Sequence, residues 1–344
     1  MIDKAKIFGQ CLAVAQSNFQ EILYKDYSTV ELYGINGVAN RATRISHYCS
    51  ASTLLSILKY KCLRFTDVRF LNDSTEFIEI LRVIRKNINM DKYSKEFRNF
   101  ILNSKEMKEL EEYKQSYWKV SRLEHICEPI IYRPYTCSFS TDTDSLSMWN
   151  YYASAAAGVS VIFNHAWNMF QGSQETETNA KSKLENGVYI YRGIIIYEET
   201  EKEKCVAALL DQVNAIYEEV KENIDEYSNL ILSAFKEAVN YMRCFFKPEK
   251  FKHESEYRIA IMVPEKIILT KDDSIRECGV FEKGNNLVPY IDYKLKMESI
   301  EGIVVNPFKG RDSMLELGIK ELLWMKGYNN VKVCPSNIQI RKYD

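Results

Sequence analysis

The hydrophobic and polar positions of this chain follow two periods, one helical and one extended. Residues 4 to 25 have helical spacing, with Ile7, Cys11, Val14, Phe19, Ile22 and Leu23 on one face. After the link GINGVAN, RISHYCS reads as a short strand. STLLSILKYKCL reads as a helix opened by Ser52 or Thr53 as N-cap. Another helix, continuing as FIEILRVIRKNI, is predicted to start at Asp73 or Ser74. Glu76 then falls in its first turn, where a carboxylate suits the helix dipole. Residues 92 to 125 are rich in Lys and Glu and predict a mostly solvated helical insertion.

Further along, PIIYRPYTCSFS has strand character. TDTDSLSMWNYYASAAA predicts a capped helix that stops at Gly158. GVSVIF is a buried strand, and residues 171 to 185 form a polar loop. NGVYIYRGIIIYE is a strand in which Gly193 marks a bulge or a close backbone approach. Residues 201 to 246 predict one long helical region with a bend near Ile224 to Tyr227. VPEKIILT, NLVPYIDY, SIEGIVVNP and NVKVCP read as strands, with a helix at Ser313 to Lys326. The irregular order predicts an α+β fold with a mixed central sheet and flanking helices. No linker is visible, so residues 1 to 344 read as one domain with helical insertions near 92–125 and 201–246.

Composition changes this picture little. Lys and Arg (46) nearly balance Asp and Glu (47), which gives no electrostatic case for bulk nucleic-acid or membrane binding. Glycine (13) and proline (7) are scarce, which favours long helices. The nine cysteines are widely spaced without a C-x-x-C, so they read as small core residues in a reducing, cytoplasmic setting. No window is long and apolar enough to span a bilayer.

The segment FKHESEYRIAI, residues 251 to 261, carries the candidate chemistry. Read as a strand, it places Tyr257, Ile259, Ile261 and Val263 on a core face. Glu254, Glu256, Arg258, Ala260 and Met262 fall on the other face. That second face suits a cleft wall or the exposed end of an edge strand. Arg258 beside Glu256 would hold the acid ionised, for charge stabilisation more than for proton donation. His47 lies on a strand with Ile45 and Cys49, and Tyr48 points to the opposite face. The capping box accounts for Asp73 and Glu76 and leaves Asn72 unexplained. Met148, Trp149, Tyr152, Ala153 and Ala156 form a helical stripe, either core or a place for a flat ligand to stack on a ring. The four histidines have no partner at metal-ligand spacing, so no metal site is expected. No phosphate-binding glycine motif is present.

Several motifs occur in order: HY-x-S, then LND with Glu76, CSFS, MW-x2-YA-x4-G, and E-x-E-x-RI. With VPYIDY, IEGIVVNP and the closing S-x-I-x-x-R, this order resembles the bacterial domain of unknown function 2971 family over nearly the whole chain from residue 44. Ser74 stands where that family usually has Pro, Leu71 where it often has an aromatic, and Asn306-Pro307 where it has Gly-Pro. More distantly, the layout is similar to ADP-ribosyltransferases of the His-Tyr-Glu type. That likeness implies His47, Tyr152 and Glu256 as catalytic residues, and Tyr48, Ser52, Asn72, Trp149 and Arg258 as substrate-binding residues. It implies NAD as substrate, no prosthetic group, and a macromolecular acceptor that the sequence does not identify. Families of this kind suggest a toxin or phage-defence effector. Two other classes stand beside this expectation. One is a metal-dependent hydrolase or nuclease using Asp73, Glu76, Glu254 and Glu256. The other is a non-catalytic sensor or partner-binding module.

Overall fold

A computed structural model describes residues 44–73, 75–112, 118–120, 130–153, 158–164, 169–170, 181–183, 187–270, 273–308 and 313–338. The predicted helix 4–25, most of the loop at 171–185, His125, His165, Cys11 and Cys127 lie outside them.

The first half contains β1 (Arg44–Ser50), α1 (Ala51–Tyr60), β2 (Cys62–Asp67), α2 (Glu79–Ile88), α3 (Lys95–Leu102), α4 (Lys105–Glu111), β3 (Trp118–Val120), β4 (Ile130–Ser140), α5 (Leu146–Tyr152) and β5 (Gly158–Asn164). The second half contains β6 (Lys181–Lys183), β7 (Tyr189–Ile194), α6 (Glu199–Glu219), α7 (Ile224–Met242), β8 (Glu256–Pro264), α8 (Glu265–Thr270), β9 (Ile275–Lys283), β10 (Asn286–Lys294), β11 (Ile300–Val305), α9 (Ser313–Met325) and β12 (Lys332–Pro335). The fold is α+β, as the pattern predicts. Twelve described strands join one sheet, in the order β12-β11-β5-β1-β4-β2-β10-β9, with β3, β6, β7 and β8 branching from that path. The pairings are antiparallel except β11 with β12.

β4 is the hub. One edge pairs with β8 from Tyr132–Pro264 to Ser140–Glu256. The other edge meets β1 only at Ser46–Ser140, and β2 only at Thr66–Thr136 and Asp67–Tyr135. Between those contacts, at Cys137–Phe139, β1 and β2 have parted. α1 joins the two diverging strands and buries Leu54, Ile57 and Leu58 below the gap.

Helices cover both faces. α2, α3, α4, α6 and α7 pack with Ala260 and Met262, whereas α1 and α9 pack with Tyr257, Ile259, Ile261 and Val263. The predicted alternation along β8 is therefore correct, but both faces are buried and the strand is central, not an edge.

Several local expectations need correction. The cap of α1 is Ser50, whose Oγ accepts from the Thr53 amide at 3.2 Å. Ser52 and Thr53 already follow Ala51 inside the helix. KCL turns out of α1 through Lys61 at φ 53° and enters β2. Residues 93–110 are not mostly solvated: Tyr93, Phe97, Ile101, Met107 and Leu110 sit in the helical core. Gly158 begins β5 instead of ending a helix. A Cβ there would lie 2.1 Å from the Ala153 carbonyl oxygen, so the chain crossing needs glycine. Gly193 pairs in register with Arg258, without a bulge. EKIILT is helix α8, not strand. The break between α6 and α7 falls at Lys221–Asn223, close to the predicted bend. Among the described cysteines none is bonded to another; Cys49, Cys62, Cys137, Cys205 and Cys244 are buried, Cys278 is partly exposed and Cys334 is exposed.

Candidate active site

The parting of β1 from β4 opens a cleft of about 260 Å³. Its walls come from β1 (Ser46, His47, Tyr48), β4 (Thr136–Phe139) and β2 (Arg64, Thr66). Its roof comes from Met148 and Tyr152 of α5, from Lys247, Phe251 and Glu254, and from the turn carrying Asn72, Asp73 and Glu76. His47, Tyr152 and Glu256, which lie far apart in sequence, all line it.

Glu256 starts β8, directly after a 3-10 helix over Glu249–Glu254 that replaces the predicted extension of the strand. Ser255 makes the junction at φ 44°, a left-handed conformation that costs a non-glycine residue free energy. Thr141 fixes this corner, with its amide and hydroxyl both donating to the Ser255 carbonyl at 2.8 and 3.2 Å. The Glu256 amide donates to the Tyr197 hydroxyl at 3.0 Å.

Glu256 is only 2% exposed, and its carboxylate is heavily bonded. Oε1 accepts from Ser138 Oγ (2.6 Å) and Arg258 Nε (2.8 Å), and Oε2 accepts from Lys247 Nζ (3.0 Å). Burial alone would push its pKa up. The charges of Arg258 and Lys247 outweigh burial and hold it below the usual carboxylate value. Glu256 is therefore a fixed negative charge.

Lys247 gathers three acids. Its Nζ lies 2.6 Å from Glu254 Oε2, 3.0 Å from Glu256 Oε2 and 3.2 Å from Glu76 Oε1. Burial opposes its charge, but Glu256 and Glu76 raise its pKa above the ordinary lysine value. Arg258 forms the second bridge, with Nη2 at 2.8 Å from Glu256 and 2.9 Å from Glu76. Its Nη1 donates to the Cys244 carbonyl at 3.1 Å.

The sequence pattern gives Glu76 as a capping acid, and as a site carboxylate only in the hydrolase alternative. It is not a capping acid in a first helical turn, because α2 begins only at Glu79 and Glu76 precedes it in a buried turn. Phe77 shapes that turn at φ 66°. Arg243 holds the conformation by donating from Nε to the Phe77 carbonyl at 2.8 Å. Burial pushes the Glu76 pKa up, Arg258 draws it partly back, and the neighbouring Glu256 charge raises it again, so the net shift is upward. The only sequence signal was an acid at the mouth of a helix, and the dipole argument accounts for that signal equally well.

His47 fills the gap between the strands. Its Nδ1 lies 3.1 Å from the Ser138 carbonyl, and its ring packs on Phe139 at 5.6 Å. A carbonyl accepts only, so this contact assigns the proton to Nδ1 and leaves Nε2 as an acceptor. Burial lowers the His47 pKa, and the Ser138 bond only partly offsets this. Tyr152 is 42% exposed and donates to Glu254 Oε1 at 3.1 Å. Burial, followed by the Glu254 charge, raises its pKa.

The remaining predicted residues divide. Asn72 lines the cleft and accepts from Lys283 Nζ at 2.8 Å. Tyr48 borders it, but its hydroxyl serves the loop before α5, donating to the Asp142 carbonyl (2.9 Å) and accepting from the Ser145 amide (2.7 Å). Trp149 is fully buried, packs edge-on against Tyr48 and donates to Asp144 Oδ1 at 2.8 Å, so it offers no face for stacking. Ser52 is exposed and meets Ser50 at 2.7 Å, away from the cleft lining. Arg258 is buried behind Glu256 and Glu76 and acts through them. Among the described residues no group of three or more His, Cys, Asp or Glu side chains is placed to hold a metal ion. Glu76, Glu254 and Glu256 converge on Lys247, while Asp73 Oδ1 accepts from the Thr75 amide at 2.9 Å.

Residues 148–259 match the family described as Protein of unknown function (DUF2971). Over that span the chain is similar to this family. The DUF2971 match runs from Met148 in α5 to Ile259 in β8. It takes in Tyr152, Lys247, Glu254, Glu256 and Arg258, and leaves His47, Asn72 and Glu76 outside. It is thus narrower than the resemblance expected from residue 44 onward. No curated protein and no solved structure matches the chain. No helix among the described residues is long and apolar enough to cross a membrane.

Proposed function

We propose that this protein consumes NAD, as an ADP-ribosyltransferase or NAD glycohydrolase. The observation that carries the reading is that His47, Tyr152 and Glu256 line one cleft. Breaking the bond between ribose and nicotinamide builds positive charge on the sugar, as in glycoside hydrolysis. A carboxylate held ionised next to that sugar stabilises the charge as it develops, without reorganising. Glu256 has this property, and Arg258 and Lys247 supply it. The nicotinamide leaves as a neutral ring, so no acid is needed on the leaving side.

In this reading the exposed ring of Tyr152 stacks on nicotinamide, and His47 Nε2 accepts from a ribose hydroxyl. The enclosed volume suits the nicotinamide riboside half. Arg64 and Lys283, which also line the cleft, meet the diphosphate at its rim. The acceptor is a macromolecule or water, and a toxin or phage-defence setting is compatible with either.

A sensor or binding module is the second reading. It is favoured by the three donors that already occupy the Glu256 carboxylate. Purified protein incubated with NAD separates the two. Release of nicotinamide that Glu256→Gln abolishes, with the circular dichroism spectrum unchanged, supports the enzyme. Saturable NAD binding by calorimetry with no nicotinamide released supports the module and rejects the enzyme.

A further inference from the structure

Glu76 and Glu256 sit on the same two cations, yet their surroundings treat them differently. Arg258 Nη2 touches both, at 2.9 and 2.8 Å, and Lys247 Nζ touches both, at 3.2 and 3.0 Å. Glu256 takes two further donations, from Ser138 Oγ and Arg258 Nε, which fix its charge. Paired carboxylates driven apart in this way divide a reaction between them, one remaining charged and the other exchanging a proton.

A second observation points to where the proton comes from. Thr136 is 3% exposed and lines the cleft, and among the described residues its Oγ1 has no hydrogen-bond partner. It lies opposite Ala260 in the ladder, while Ser138 lies opposite Arg258. Its side chain therefore emerges on the same face as Ser138 and Arg258, the face that Glu76 approaches. A buried hydroxyl without a partner costs about 1–3 kcal/mol, and a ligand atom in the cleft would satisfy it.

We propose that Glu76 is a second catalytic carboxylate, the base that deprotonates the attacking water or acceptor hydroxyl, and that Thr136 Oγ1 holds that nucleophile. This rests on the NAD-consuming reading. The bond from ribose C1′ to the nicotinamide nitrogen breaks, and its electron pair goes to the nitrogen. A C1′–O bond forms from the nucleophile, whose proton passes to the Glu76 carboxylate and then to solvent. Nothing is oxidised or reduced. Among the described residues the charged groups facing Glu76 and its turn are Arg258 and Glu256 of β8, Lys247 and Glu254 from the segment before it, Arg243 just after α7, and Asp73 on its own turn. The raised pKa of Glu76 makes it the stronger base of the pair.

The test is steady-state nicotinamide release by the full chain across pH. Wild-type turnover should fall as pH drops through the Glu76 pKa. Glu76→Gln should lower kcat by about a hundredfold or more with KM unchanged, and should lose that acid limb. Sodium azide, a nucleophile with no proton to remove, should restore Glu76→Gln turnover by forming the ribosyl azide, and should not restore Glu256→Gln. Thr136→Val should lower kcat while its melting temperature holds or rises. If Glu76→Gln does not fold, Glu76→Asp serves instead, with lower kcat and the acid limb retained. An unchanged limb in Glu76→Gln, a loss confined to KM, no response to azide, or full activity in Thr136→Val each overturns the assignment while leaving the NAD reading intact. A wild-type protein that releases no nicotinamide at any pH overturns both.

Discussion

The guanidinium of Arg258 lies 2.9 Å from the Glu76 carboxylate, joining the start of β8 to the turn that precedes α2. Removing Arg258 takes away one of the two cations that the buried Glu76 and Glu256 share. Arg258→Met should therefore cost about 3–5 kcal/mol, as expected when one partner of a buried ion pair is lost. Urea unfolding measures it, and a loss below about 1 kcal/mol would mean that water already reaches these acids.

Gly158 gives a second prediction. A methyl group there meets the Ala153 carbonyl oxygen, a backbone atom immediately after α5. Gly158→Ala should destabilise by about 1–3 kcal/mol through overpacking. It should also displace Tyr152, so NAD affinity should fall more than it does in Tyr152→Phe, which keeps the ring. Equal affinities in the two variants would show that α5 does not move.

His47 sets a pH dependence. Its folded pKa is below the ordinary 6.5, so the unfolded chain takes up the proton first as pH falls. The stability contribution of neutral His47 is complete above 6.5 and is lost progressively on going down to its folded pKa. Unfolding free energy should thus drop between pH 7.5 and 5.5, and His47→Asn should flatten that slope. Parallel slopes for the two proteins would remove His47 as the cause.

Tyr197 positions Glu256 through the backbone, with its hydroxyl accepting from the Glu256 amide. Tyr197→Phe leaves that buried amide without its partner, at a cost of about 1–3 kcal/mol. Nicotinamide release should lose kcat with KM little changed, because the altered part holds the charge and not the ligand. A shift in KM alone would place Tyr197 with substrate binding.

Pattern alone exposed most of the strands and the face alternation of β8, because a two-residue period survives wherever one strand is buried on both sides by different cores. A resemblance, and not any spacing, singles out His47, Tyr152 and Glu256, which line one cleft. Pattern failed where backbone geometry, not periodicity, decides. Glu76 looked like a capping acid because nothing local reports that Phe77 turns left-handed and sends the chain inward. Lys247 carries no signal, since a lysine among charged neighbours usually faces water, and only the fold turns Glu254 and Glu256 back onto it and brings the distant Glu76 to join them. The resemblance implies substrate binding for Trp149, but Asp144 and Tyr48 enclose it.

The interruption along β4 makes the site a seam and not a dent. One rung ties β4 to β1 and two tie it to β2, so no continuous ladder crosses the opening. β8 backs β4 along its opposite edge from Tyr132 to Ser140, so the spine of the seam is doubly stranded. A ligand therefore enters between strands where there is no rung to break.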